Sequence, residues 1–335
     1  MSESLRRSAV ISGTGSYVPE QIVTNEDLSR VVDTNDDWIT SRTGIQERRK
    51  AGNDQASSDL GTEAAKLALE DAGLAIGDID GIIVATCTPD MIFPNTASII
   101  QANLGAAHIF CFDLSAACSG FLYALKVARD LVRSGTHENI LVIGTEKMSS
   151  IIDWEDRTTC ILFGDAAGAA VVSGSDEPEM GLLEEVHGAD GNLGDLLKVP
   201  AGGSRMPVDP SVLADKMHCI KMQGRDVFKH AVNNMAQATL DVLDKQGITA
   251  DDIDLFIPHQ ANIRILNAVR DKLKQPDEKM FHNVHKYGNT SAASIIVALD
   301  EASKAGRIKR GDKILLAAFG AGFTWGTAII QWTKE

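Results

Sequence analysis

The sequence predicts an α/β protein made of two copies of one unit, and three observations lead there. Short aliphatic runs such as Gly81-Ile-Ile-Val-Ala-Thr86, Ile140-Leu-Val-Ile-Gly144, Asp254-Leu-Phe-Ile257 and Ile314-Leu-Leu-Ala-Ala318 alternate with stretches of helical periodicity. Those runs carry no polar alternation, so they read as strands buried on both faces, as in parallel or mixed sheets covered by helices. Short matches also recur at one separation: 247 minus 73 (Gly), 253 minus 79 (Ile), 298 minus 124 (Ala) and 314 minus 140 (Ile) each give 174. The expected organisation is two pseudo-duplicated α/β halves, residues 1–175 and 176–335, packed around a shared core. Between Val199 and Met217, Pro200, Gly202, Gly203, Pro207 and Pro210 read as a long loop, the usual form of a lid or binding element.

Bulk composition narrows the function class. At 335 residues, 44% hydrophobic and 23% charged, the chain can bury a full core without staples. The opening Met-Ser-Glu-Ser-Leu-Arg-Arg has no apolar run behind it, and no window approaches the roughly 18 apolar residues of a membrane span. A cytoplasmic protein is expected. Five cysteines, an odd number without Cys-x-x-Cys spacing, argue against a disulfide framework and a zinc cluster. A net charge of −14 argues against general affinity for nucleic acid or anionic membrane, since both need a positive surface.

The chemistry-bearing residues are far apart in the chain. Cys118, in Asp113-Leu-Ser-Ala-Ala-Cys-Ser-Gly-Phe121, follows an apolar run and precedes a stretch with helical spacing. A thiol at a helix start meets free N–H groups and the positive end of the macrodipole, which favour the thiolate. A buried structural cysteine would occupy the same pattern. At the 174 separation the mate of Cys118 is Ala292, so the second half has the turn without the thiol. Asn289, in Tyr287-Gly-Asn-Thr-Ser291, stands at the head of that second helix, where a turn or cap role is the alternative. His259, in Pro258-His-Gln-Ala-Asn262, lies past the carboxyl end of a strand, the edge at which open α/β sheets bind ligands. Phe319-Gly-Ala-Gly-Phe-Thr-Trp-Gly326 is a small-residue loop able to aim a backbone N–H at an oxyanion, or simply a place where strands pack closely. His282 and His285 form no ligand spacing, and no metal site is expected. Gly13-Thr-Gly15 lacks the third glycine of a dinucleotide loop.

Taken together and in order, these segments resemble the β-ketoacyl-acyl-carrier-protein synthase III family of the thiolase superfamily. The resemblance runs from Asp37-Trp-Ile-Thr-Ser-Arg-Thr-Gly-Ile45 to Gly326. It implies a thiolase-like fold, a layered α-β-α-β-α architecture and a homodimer. The implied activity is that of a condensing acyltransferase of fatty-acid biosynthesis. Cys118 takes an acyl group from acyl-CoA, malonyl-acyl-carrier protein loses carbon dioxide, and its enolate attacks the acyl-cysteine. By the same resemblance His259 and Asn289 donate to the malonyl thioester oxygen, with His259 as a neutral imidazole. The backbone N–H groups of Cys118 and Ala321 form an oxyanion hole for the acyl-cysteine. The family often has Gly where Ala321 stands, a mild change when only the N–H is needed.

Further positions match by resemblance. Trp38 and Arg157 sandwich the adenine of CoA, Arg42 lies near its phosphates, and Gly224 and Asn262 line the pantetheine arm. Phe93 crosses to the partner's acyl pocket. Arg264, Arg270, Lys272 and Lys274, on one expected helix, are the candidate patch for the acidic carrier protein, with a plain solvated face as the alternative. No cofactor is implied, because the CoA thioester and malonyl-carrier protein are substrates. A related acyltransferase of specialised metabolism would use the same residues, and an inactive partner subunit would be expected to have lost them.

Overall fold

The computed structural model describes residues 7–335. The first half forms a five-stranded sheet in the order Ser8–Tyr17, Ala166–Ser175, Asn139–Glu146, Gly81–Ala85, Phe110–Leu114. The second half repeats it with four strands in the order Gly181–Ala189, Thr324–Gln331, Lys313–Gly320, Leu255–Pro258. The separation seen in the sequence is kept at the level of register. Gly81 pairs in parallel with Ile140, and Leu255 pairs in parallel with Ile314; 255 minus 81 and 314 minus 140 both give 174. Gly73 and Gly247 close equivalent helices in the left-handed conformation, at φ 66° and 73°.

One strand is missing from the second copy. The edge strand Phe110–Leu114 has as its counterpart the short helix Val284–Tyr287. Phe-Cys-Phe-Asp-Leu suits a pleated edge, whereas Val-His-Lys-Tyr-Gly has a polar centre and ends on a glycine at φ 63°.

Five layers follow from which faces are apolar. The helices Gly120–Arg133 and Ala293–Lys304 lie between the two sheets and share one core cluster with both inner faces. Helix Ser57–Ala72 covers the outer face of the first sheet, and helices Gly224–Gln246 and Ile263–Lys272 cover that of the second. The order α-β-α-β-α buries every sheet face, so the strands can be aliphatic throughout. Gly13 and Gly15 belong to this packing and not to a ligand loop: a Cβ on either would lie 2.4 Å from the backbone of Ala68. The central helix Ala293–Lys304 carries one buried acid, Asp300, which accepts from Thr14 Oγ1 at 2.9 Å and Ser16 Oγ at 2.5 Å. A buried carboxylate is tolerated only when so partnered, and these bonds tie the second half to the first strand of the first.

The segment expected as a plain loop holds a helical turn, Pro210–Ala214. Asp209 accepts from the N–H groups of Ser211 and Val212 at 2.8 and 2.9 Å, and Pro210 supplies the preset first helical residue. Among the described residues no helix is long and apolar enough to cross a membrane, and no cluster of three or more His, Cys, Asp or Glu is placed to hold a metal.

Candidate active site

The turn that carries Cys118 is strained, and the strain is duplicated. Cys118 lies in a 3-10 turn, Ala117–Ser119, that leads into helix Gly120–Arg133. Ala117 before it has φ 46°, and its mate in the second half, Ser291, has φ 49°; 291 minus 117 gives 174. A non-glycine residue in the left-handed region costs of order 1 kcal/mol or more, and such turns persist where surrounding contacts hold them. Around Ser291 the holder is Asn289, whose Oδ1 accepts from the Ser291 N–H at 2.9 Å. That bond orients the amide and leaves Nδ2 as its free donor. The Asn289 backbone donates to Leu162 O at 2.8 Å and accepts from Gly164 N at 3.1 Å. The turn that supplies those two groups is itself held by the buried Arg48, whose guanidinium donates to Ile161 O at 2.8 Å and Val23 O at 3.0 Å.

His259 begins where strand Leu255–Pro258 ends, and its N–H donates to Ala317 O at 2.7 Å on the neighbouring strand. Its ring is buried, with Nδ1 2.6 Å from Ser294 Oγ. The Gln260 N–H approaches the same hydroxyl at 3.4 Å, so the Ser294 oxygen accepts there and its proton is free to point at Nδ1. With Nδ1 accepting, the ring proton resides on Nε2. Burial pushes the imidazole down to about 3, so the ring is a neutral donor.

Cys118, His259 and Asn289 line one cavity of about 440 Å³, floored by Phe163 and Phe319. Cys118 also lines a second cavity of about 390 Å³, together with Met148, Ile151, Ile220, Lys198, Ser291 and Thr324. Cys118 therefore borders two chambers, both with largely apolar linings, and His259 and Asn289 line the first of them. The thiolate expected from the helix start is opposed by burial, which pushes the thiol up to about 12; a hydrogen bond with Ser291 acts in the opposite direction. Desolvation wins here because the thiol has no cation beside it. Gly320, at the end of strand Lys313–Gly320, backs directly onto the Cys118 turn: a Cβ there would lie 2.7 Å from Cys118 N. The loop bearing Ala321 thus meets the loop bearing Cys118 at the backbone, and Ala321 lines the second cavity beside the thiol.

Two family models match the chain, both of 3-oxoacyl-[acyl-carrier-protein] synthase III: one over residues 112–191 and one, of the C-terminal region, over residues 243–332. A β-ketoacyl-[acyl-carrier-protein] synthase III of Caldanaerobacter subterraneus subsp. tengcongensis is 56% identical over 327 residues, 98% of both chains. The chain belongs to the 3-oxoacyl-[acyl-carrier-protein] synthase III family. Among solved structures, the synthase III of Aquifex aeolicus VF5 superposes with a TM-score of 0.90 at 48% identity, covering 97% of this chain and 100% of that one. That of Pseudomonas aeruginosa PAO1 gives 0.91 at 41% identity, covering 98% and 99%. The layered thiolase-like fold and the acyltransferase class of the enzyme follow.

Within this synthase III chain the remaining expected residues divide. Arg42, Gly224, Asn262 and Arg264 line the same chamber as the three central residues. Asn262 also caps helix Ile263–Lys272, its Oδ1 accepting from Ile265 N at 3.0 Å. Trp38 and Arg157 are together but closed: the guanidinium sits 5.2 Å from the indole centroid, held by a 2.9 Å bond from Arg157 to Asp33 O. Arg42 lies over the same ring at 4.6 Å. The ion pair of Arg157 is with Asp33 at 3.5 Å, not with Glu155 or Asp156. Phe93 is 82% exposed and lines neither chamber of its own chain.

The expected basic helix does not form a single patch. Lys274 falls beyond helix Ile263–Lys272, in a left-handed residue at φ 54°. Arg270 is bound to Asp271 and Asp277, and Lys272 donates to Asn233 at 2.6 Å. At 3.6 residues per turn Arg264 and Arg270 are about 120° apart around the helix, so their charges diverge. The charge at the chamber is instead Arg42, Arg225 and Arg264, all exposed and from three different helices. Arg225 and Ser294 were not singled out in the sequence. Arg225 directly follows Gly224, which offered a clue; Ser294 gave none, because a serine in an apolar helix reads as filler.

Proposed function

We propose that the two chambers meeting at Cys118 carry a two-stage acyl transfer that starts fatty-acid synthesis. In the first stage the Cys118 sulfur attacks the carbonyl carbon of an acyl-CoA. The bond from that carbon to the CoA sulfur breaks, and the thiol proton ends on CoA. The acyl chain then occupies the second chamber, beside Met148, Ile151 and Ile220. In the second stage the malonyl thioester of the carrier protein enters the first chamber, which His259 and Asn289 line, and loses carbon dioxide. The electron pair left behind is delocalised onto the thioester oxygen, within reach of the donors His259 Nε2 and Asn289 Nδ2. The resulting carbon nucleophile attacks the acyl-cysteine carbonyl; a carbon–carbon bond forms, the carbon–sulfur bond breaks, and the Cys118 thiolate is released to take up a proton. The backbone N–H groups of Cys118 and Ala321 bind the oxyanion on that carbonyl in both stages.

On this reading the half spanning 1–175 supplies the nucleophile and the half spanning 176–335 supplies both side-chain donors. A neutral histidine suits the second stage, since an imidazolium would protonate the carbon nucleophile before it attacked. Arg42, Arg225 and Arg264 suit the phosphates of CoA and of the carrier's prosthetic arm, and an acidic carrier protein, despite the net charge of −14. The chemistry calls for no cofactor. The outer edge of strand Phe110–Leu114 is unpaired in the sheet, and Met91, Ile92 and Phe93 beside it are 49, 83 and 82% exposed, which favours a second copy of the chain as the cover. Five free cysteines suit the reducing cytoplasm.

The observation that carries the mechanism is the single chamber shared by Cys118, His259 and Asn289. The test is intact-protein mass after incubation with acyl-CoA, followed by carbon dioxide release on adding malonyl-carrier protein. One acyl group is expected on the wild type and none on Cys118→Ala. An acylated Cys118→Ala would end the assignment.

A further inference from the structure

We infer that the hydroxyls of Ser119 and Thr324 are positioning residues that lock the two oxyanion-hole N–H groups into one geometry across the seam between the halves. The inference rests on the oxyanion-hole reading above. Cys118 N and Ala321 N belong to different halves and lie on separate loops, and nothing in either loop alone sets their separation. Two close approaches do. Gly320 places its α-carbon so near the nucleophile turn that a Cβ would lie 2.7 Å from Cys118 N, 3.0 Å from Ser119 N and 3.1 Å from Ala116 O. Beside that contact Ser119 Oγ lies 2.7 Å from Thr324 Oγ1 and 2.8 Å from Ala116 O, while Thr324 Oγ1 lies 2.9 Å from Ala116 O and 3.2 Å from Ala321 O.

Each hydroxyl has one proton. The set is satisfied when Ser119 donates to Thr324 Oγ1 and Thr324 donates to Ala116 O, a chain running from the nucleophile turn to the C-terminal loop and back. Its targets are telling. The Ala116 carbonyl lies in the peptide plane before Ala117, and the Cys118 N–H lies in the plane after it; between them Ala117 holds φ 46°. Fixing the first plane fixes how far the strained residue can relax, and so where the second N–H points. On the other loop the residue tied down is Thr324 itself, three residues past Ala321: its one proton goes to Ala116 O at 2.9 Å, so the link between the loops is that bond and not the 3.2 Å approach to the Ala321 carbonyl. Ser119 is fully buried, so its hydroxyl bonds within the protein and not with bulk solvent. The strained turn in the second half has a different holder, the Asn289 side chain, so the Ser119–Thr324 bridge belongs to the half with the thiol.

Displacing a catalytic group by about an ångström can cost on the order of a hundredfold in rate, and losing an oxyanion donor costs a similar factor. Thr324→Val keeps the shape and removes the hydroxyl. The expected result is acylation of Cys118 slowed about 10- to 100-fold, with KM for acyl-CoA within about threefold of wild type and carbon dioxide release from malonyl-carrier protein without an acyl donor little changed. Thr324→Ser restores acylation. Ser119→Ala gives a similar loss, and the double variant is no worse than the poorer single one, because both hydroxyls act through one chain. Wild-type acylation in both Thr324→Val and Ser119→Ala overturns the inference. Equal losses in acylation and malonyl decarboxylation, tracking a fall in melting temperature, would mark a merely structural role and overturn it as well. Cys118→Ser is run beside them. If it stays unacylated while Thr324→Val is normal, only this inference fails; if it is acylated normally, the underlying mechanism fails.

Discussion

Replacing Ser294 with alanine tests how the donor on His259 is set. The variant removes one hydroxyl from a fully enclosed site and leaves two groups without partners: Nδ1, now 2.6 Å from that oxygen, and the Gln260 N–H at 3.4 Å. Orphaning a buried polar group costs about 1–3 kcal/mol, so unfolding free energy should fall by that amount. The catalytic effect follows from the tautomer. A Ser294 hydroxyl that donates to Nδ1 favours the form with its proton on Nε2; without it the Nδ1–H form competes, and a ring in that form presents a lone pair to the enolate oxygen. Loss of one oxyanion donor costs about 100- to 1000-fold, and partial tautomer exchange sets the expected drop in condensation at about 10- to 100-fold. Acylation of Cys118 does not use His259 and should remain within about threefold. Intact mass measures the first stage and carbon dioxide release the second. Equal slowing of both stages, or an unchanged second stage, would refute the tautomer argument.

Asn289→Asp retains an oxygen to accept from the Ser291 N–H but has no amide donor and buries a carboxyl, so it should lose some stability, still acylate, and lose condensation by about 100-fold or more; near-normal carbon dioxide release would remove Asn289 from the mechanism. Gly320→Ala drives a Cβ to 2.7 Å from Cys118 N, a backbone atom that cannot swing aside. The expected cost is about 1–3 kcal/mol of stability, read by denaturant unfolding, with acylation slowed at least tenfold. Arg264→Glu should raise KM for malonyl-carrier protein and weaken its salt dependence while leaving a small malonyl thioester less affected; unchanged carrier kinetics would take Arg264 out of the docking surface. Burial holds His259 at about 3 in the folded chain against 6.5 when exposed. The unfolded chain therefore binds the extra proton between those values, and the His259 contribution to stability is complete above pH 6.5 and lost as pH falls toward 3. By the same shift, the condensation rate should show no acid limb near pH 6.5 from this residue.

Much of the architecture was legible because it is written in periodicity. The runs at 81–86, 140–144, 254–257 and 314–318 became parallel-paired strands, and the 174-residue separation reappeared in their register, since a duplicated backbone needs the same caps and apolar spacings in both copies. Cys118, His259 and Asn289 could be picked out because each follows or precedes a recognisable element. Other features were not so marked. Asn289 orients its amide on Ser291, two residues along, yet its backbone is anchored by Leu162 and Gly164 far upstream. The fourfold basic set split because carboxylates at Asp271 and Asp277 claim Arg270, and the thiolate tendency of a helix start was outweighed by enclosure of the sulfur.

Local pattern by itself determined the alternation of strands and helices, the duplication, and the three residue types able to hold an acyl group and stabilise an enolate. Tertiary structure alone decided that they share one chamber, that the Ser294 hydroxyl stands 2.6 Å from His259 Nδ1, and that Gly320 brings one half's backbone against the Cys118 turn of the other. Hydrophobic periodicity reports which way a backbone segment faces, because burying a face is a property of that segment. A contact across the seam depends on the folding of two distant segments at once, and no spacing along the chain encodes it.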